Sequence, residues 1–199
     1  MHALAIRSVW VAVALVSAMV DAAGPQCQEL DDSTPKQQVG YLQRERSGLR
    51  LECVVLAISK LKEEAYIPAA GILTSYLDFK VAGTRSNQPR PGYNVDMGRA
   101  CWMEEYPAAH ALTAIGLPAS ESLVRAIGSA SASDLLRSNA EEVLFVVHGA
   151  DPAGAVMALR QRSRSGLDAA TSARLFESAI RLSRKCIPEI RHTCEAALN

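Results

Sequence analysis

The stretch Tyr106–Ile127, YPAAHALTAIGLPASESLVRAI, decides the fold. Its apolar residues fall at Ala108, Leu112 and Ile115, then at Leu123, Val124 and Ile127, three or four apart as on one helical face. Gly116 breaks the first series and Pro118 lies just beyond, so the spacing predicts a helix, a tight turn and a second helix. Small alanines let the two helices approach closely. Neither can bury its face alone, so the motif implies stacking on further helices.

The same plan lies upstream. Leu51, Val55, Ile58 and Leu61 mark one helical face, and the charged run Lys60–Glu64 ends it at solvent. Ile67-Pro68-Ala69-Ala70 then opens a helix carrying Ile72, Leu73, Tyr76 and Leu77, and its Pro-Ala-Ala step recurs at Pro107, an internal repeat. Further upstream, Thr34-Pro35 caps a short helix with Val39 and Leu42 on one side, closed by Ser47-Gly48. Downstream, the small-residue turn Gly128–Ser133 caps a helix from Asp134 that carries Leu135, Val143, Leu144 and Val147, with Gly149 expected as its left-handed terminator. Asp151-Pro152 starts the next, with Val156, Met157 and Leu159. Asp168 to Cys186 reads as one long helix with Leu175, Phe176, Ala179 and Leu182 inward, stopped by Pro188.

The starts at Tyr66 (YIPAAGIL) and Tyr106 (YPAAHALTAIG) resemble HEAT-type, armadillo-like helical repeats over roughly Leu51–Arg184. The resemblance implies an all-α fold, a short right-handed α-solenoid of antiparallel helix pairs. It also implies protein binding more than catalysis, since such repeats mostly hold other proteins. The chain departs from the repeat pattern at about 80–103, where an irregular loop rich in Pro, Gly and Asn is inserted. Arg85, Arg90, Tyr93, Asp96 and Trp102 are the side chains that loop offers to a partner. Tyr93 and Trp102 can equally fold back to cover an apolar repeat face.

Composition bounds the address and the partners. Lys plus Arg and Asp plus Glu both number 21, so no net field draws the chain to nucleic acid or to an anionic bilayer. Apolar residues make up 49 % and aromatics only 5 %, which suits closely packed helices rather than a sandwich of strands. Arg7 followed by the apolar run Val9–Val20 and by small residues reads as a signal peptide over 1–22, cut after Ala22 or Ala23, with a single retained anchoring helix as the alternative. The run is short for a membrane span, so no stable span is expected after processing. The mature chain is then exported, periplasmic or secreted, with a polar segment and short helix over 23–48 and the helical-repeat domain over 49–199. Export places Cys27, Cys53, Cys101, Cys186 and Cys194 where disulfides persist, and the odd number leaves at least one unpaired within the chain. Cys186 and Cys194 are the expected pair, because Pro188 breaks the helix between them and lets the tail reverse.

Catalytic motifs are missing from the sequence: it holds no GxSxG, P-loop, HExxH, GxGxxG or EF-hand loop, and no cysteine spacing suited to zinc. No cofactor or metal is called for. His110, with Glu104 and Glu105 nearby, is the one imaginable His–carboxylate site; a half-buried structural histidine explains it as well. His148 reads as a charge at a helix C-terminus. The expected function is therefore a non-enzymatic scaffold for a protein or peptide, bound along the inner helix face or by the inserted loop. The alternative is a small exported enzyme working in the groove around His110.

Overall fold

The computed structural model describes residues 25–45, 50–81, 102–149 and 151–198, and among these every regular element is helical. The leader expected over 1–22 lies outside them. No described helix is long and apolar enough to cross a membrane. The chain forms two compact units, one up to Ala57 and one from Ile58 onward.

The first unit holds α1 (Pro25–Asp31), α2 (Pro35–Arg44) and the first part of α3 (Leu51–Glu63). Thr34 precedes α2 with Pro35 at its first position, and the Gln37 side chain accepts the Thr34 backbone N–H at 2.8 Å, which satisfies a donor that the helix start would otherwise leave free. Cys27 is joined to Cys53, tying α1 to α3. The buried Gln38 amide donates to the Ser33 carbonyl at 3.1 Å and to Leu30 at 3.5 Å. Leu30, Leu42 and Val54 are buried with it. On α3 the buried face is Cys53, Val54, Ala57, Ile58 and Leu61, whereas Leu51 is exposed and Val55 half-buried. The expected face through Leu51 and Val55 is therefore rotated by about one residue.

The second unit continues with a 3-10 turn Ile67–Ala69, α4 (Ala70–Thr74), α5 (Pro107–Ile115), a 3-10 turn Leu117–Ala119, α6 (Ser120–Gly128), α7 (Asp134–Val147), α8 (Pro152–Ser163), α9 (Ala169–Lys185), a 3-10 turn Pro188–Ile190 and α10 (Arg191–Ala196). Helices two apart in the chain touch: α4 with α6, α6 with α8, α8 with α10, and likewise α5 with α7 and α7 with α9. Arg137 near the start of α7 reaches the Ile127 carbonyl, while Ser120 at the start of α6 meets His148 at the end of α7, so these two helices run antiparallel. The most extensive pairing is α8 on α9, where Ala153, Ala155, Val156 and Leu159 present a small-residue surface. Helix α6 also touches α9; a Cβ on Gly128 would meet Thr171 Cγ2 at 3.2 Å.

Leu73, Leu77, Leu112, Leu123, Ile127, Leu144, Leu159, Leu175 and Leu182 are buried, which is the core expected from periodicity. Leu135, Met157 and Phe176 are not inward as expected but exposed, and Phe176 instead carries the Arg160 guanidinium 4.5 Å above its ring. Gly116 takes φ 75° and ψ −147°, a conformation only glycine adopts freely, and so ends α5. Gly149 does not take the left-handed conformation; α7 closes by a Gly149 N–H bond to the Val146 carbonyl at 3.0 Å. Cys186 and Cys194 are joined, with 6.6 Å between their Cα atoms, and the reversal between them is the turn begun by Pro188.

The recurring unit differs from the one expected. Pro107 begins an α-helix directly, whereas Pro68 stands second in a 3-10 turn, as does Pro118. The backbone after each agrees closely: Ala69 and Ala119 lie at φ/ψ −78/−13° and −77/−14°, Ala70 and Ser120 at −52/−43° and −55/−43°. Pro68 therefore matches Pro118 rather than Pro107.

Candidate functional site

A cleft of about 460 Å³ opens along α6 within the second unit. It is lined by Ser122, Arg125 and Ala126 of α6, by Gly71 and Thr74 of α4, and by Arg162, Leu167 and Thr171. Val124 and Leu175 supply apolar surface at the bottom. The α6 spacing places these side chains on the face turned away from buried Leu123 and Ile127.

Charge at the cleft is positive. Arg125 holds Glu121 at 2.8 Å one helical turn back, with both side chains mostly exposed, so that pair is worth only about 0.3–0.5 kcal/mol and gives way readily to a ligand. Arg162 is exposed and donates to Ser165 Oγ at 3.3 Å, and no carboxylate pairs with it among the described residues. Thr74 spends its hydroxyl on the Gly71 carbonyl. The cleft therefore offers two guanidinium groups and an apolar floor, a pattern suited to a carboxylate-bearing chain segment. Among the described residues no group of three or more His, Cys, Asp or Glu could hold a metal.

Of the residues expected to bind, Arg85, Arg90 and Tyr93, with Asp96, lie outside the described residues. Trp102 does not line the cleft. It is half-buried, and its indole N–H donates to Asn139 Oδ1 at 3.3 Å. Asn139, buried in α7, also donates to the Leu77 carbonyl at 2.6 Å. The Val81 N–H bonds the Glu105 carbonyl at 3.0 Å, and Lys80 pairs with the Glu105 side chain at 2.9 Å. Both ends of the inserted segment are thus fastened at one place.

His110 lies half-buried on α5, and no hydrogen bond joins it to Glu104 or Glu105 among the described residues. Burial holds its pKa below the ordinary histidine value, Lys62 lowers it further, and Glu104 opposes them. Glu105 is engaged by Lys80 instead. His148 sits at the α7 terminus with Nε2 3.1 Å from Ser120 Oγ, and burial lowers its pKa against the pull of Asp151. Asn139 carries no local signal, and neither does the burial of Glu141, which the sequence pattern places on a solvated helix face. Glu141 is 5 % exposed and accepts from Ser178 Oγ at 2.6 Å and Arg181 at 2.6 Å, bonds that span about forty residues and leave no local signature.

The described residues are thus all helical in their regular elements and carry a basic cleft along α6. No protein-family model matches the chain, and no curated protein or solved structure resembles it significantly.

Proposed function

We propose that the mature chain is an exported scaffold of HEAT-like repeats that holds an acidic peptide segment of another protein, without chemistry, in the cleft along α6. The observation that carries this reading is the cleft itself, with Arg125 and Arg162 on its sides and an apolar floor. The repeat reading draws support from the contacts between helices two apart, which sort α4, α6, α8 and α10 from α5, α7 and α9.

Gly71 offers a clean test, since a Cβ there would meet nothing within 4 Å and a Trp can plug the cleft without disturbing the core. A partner recovered with the mature protein from its native compartment is expected to lose binding to Gly71→Trp and to Arg162→Glu, both retaining the wild-type melting curve. Equal binding by both variants sinks the reading. N-terminal sequencing of the same material is expected to begin at Ala23 or Gly24; an intact Met1 contradicts export.

A further inference from the structure

We infer that Ser120, His148 and Asp151 form an acyl-accepting site for carboxylic esters at the start of α6, separate from the cleft. Three observations on side-chain placement carry this. Ser120 Oγ lies 3.1 Å from His148 Nε2, a nucleophile-to-base distance, across 28 residues of sequence. On the other side of the ring, a Cβ on Gly154 would meet His148 Nδ1 at 2.9 Å and Asp151 Oδ2 at 3.0 Å, so carboxylate and imidazole converge over a position kept bare by glycine. Finally, Ser120 spends its hydroxyl on a side chain of another helix rather than on its own backbone, as Ser178 does with Glu141. Thr74, Ser75, Thr113, Ser163 and Ser183 each donate to a carbonyl three or four residues back, whereas Ser120 turns to the imidazole.

The site is open to reactants. Ser120 and His148 are half-buried, Asp151 is exposed, and Leu117 beside them is 57 % exposed, an apolar rest for an acyl chain. Burial keeps the imidazole neutral near pH 7, the state in which Nε2 accepts a proton. Ser120 Oγ bonds to the acyl carbon while its proton passes to His148; the ester C–O bond breaks and the alcohol leaves with that proton. Water, giving its proton to the same nitrogen, then cleaves the acyl–serine bond, releasing the acid and restoring Ser120. Asp151 is a positioning residue that favours the transient imidazolium.

The experiment is labelling of the full chain with an alkyl fluorophosphonate, which forms an O–P bond at an activated serine and expels fluoride, read by peptide mapping. A single adduct on Ser120 is expected, with the neighbouring Ser122 unmodified. His148→Ala is expected to slow labelling by about 10²-fold or more, with added imidazole restoring part of the rate, which a merely structural histidine does not allow. Asp151→Asn, which keeps an N-cap oxygen for α8, is expected to slow it less. An unlabelled wild-type protein overturns the inference, as does an adduct spread over several serines or a His148→Ala variant that labels at the wild-type rate.

Discussion

The turns at Pro68 and Pro118 share a backbone and part company within two turns of helix. Counted from each proline, four positions are buried in both: Ala69 and Ala119, Leu73 and Leu123, Thr74 and Val124, Leu77 and Ile127. Yet α4 ends at Thr74, whereas α6 continues to Gly128. Hydroxyls account for the difference. Thr74 and Ser75 donate to the Gly71 and Ile72 carbonyls, and the chain then tightens into Ser75→Ile72, Tyr76→Leu73 and Leu77→Thr74 backbone bonds. The matching residues of α6, Val124 and Arg125, have no short hydroxyl to compete with the helix. Proline and the small residue after it set how a helix begins; the side chains one turn on decide how far it runs.

The largest test of this equivalence is burial. Leu73→Ala and Leu123→Ala are each expected to cost about 2–5 kcal/mol in urea unfolding, with overlapping values. A cost under about 1 kcal/mol at either position would show that the two are not equivalent. Chemistry separates them next: Ala70 stands in the first turn where Ser120 stands in the second. Ser120→Ala is expected to cost about 0.5–1.5 kcal/mol by leaving His148 without its partner, measured against wild type at pH 7.5. A smaller change follows from giving α4 the residues of α6. Thr74→Val with Ser75→Arg is expected to lengthen α4, seen as slower amide exchange at Leu77 and Asp78; unchanged exchange would remove the hydroxyl explanation.

The smallest effect is in pH. The folded pKa of His148 lies below its unfolded value of about 6.5, so the unfolded chain binds the proton first. Its contribution is therefore fully present above about pH 6.5 and is lost as pH falls through the folded value. His110, lowered in the same sense, adds to the loss. His148→Gln is expected to flatten the fall in stability between pH 7.5 and 5; an unchanged slope would assign it to other groups.

Most of the helices and their buried leucines were legible because period alone reports a one-sided face. Leu51, Leu135, Met157 and Phe176 were misplaced because hydrophobicity marks a residue as able to be buried, not as buried. The repeat at Pro118 carries a signal of its own: aliphatic-Pro-Ala with leucine four residues after the Ala, at Ile67 and again at Leu117. The cleft and the Ser120–His148 contact had none, since both join residues that only the packing of α6 against its neighbours brings together.

The fastening around Asn139 has a use in protein engineering. Because Leu77, Val81, Trp102 and Glu105 are held together by α7 and by one another, the chain departs from and rejoins the helices at a single port. For a flexible segment closed between two such anchors, doubling its length adds only about 0.6 kcal/mol of closure entropy. An insertion made between these anchors is accordingly expected to leave the helices that meet at Asn139 in register.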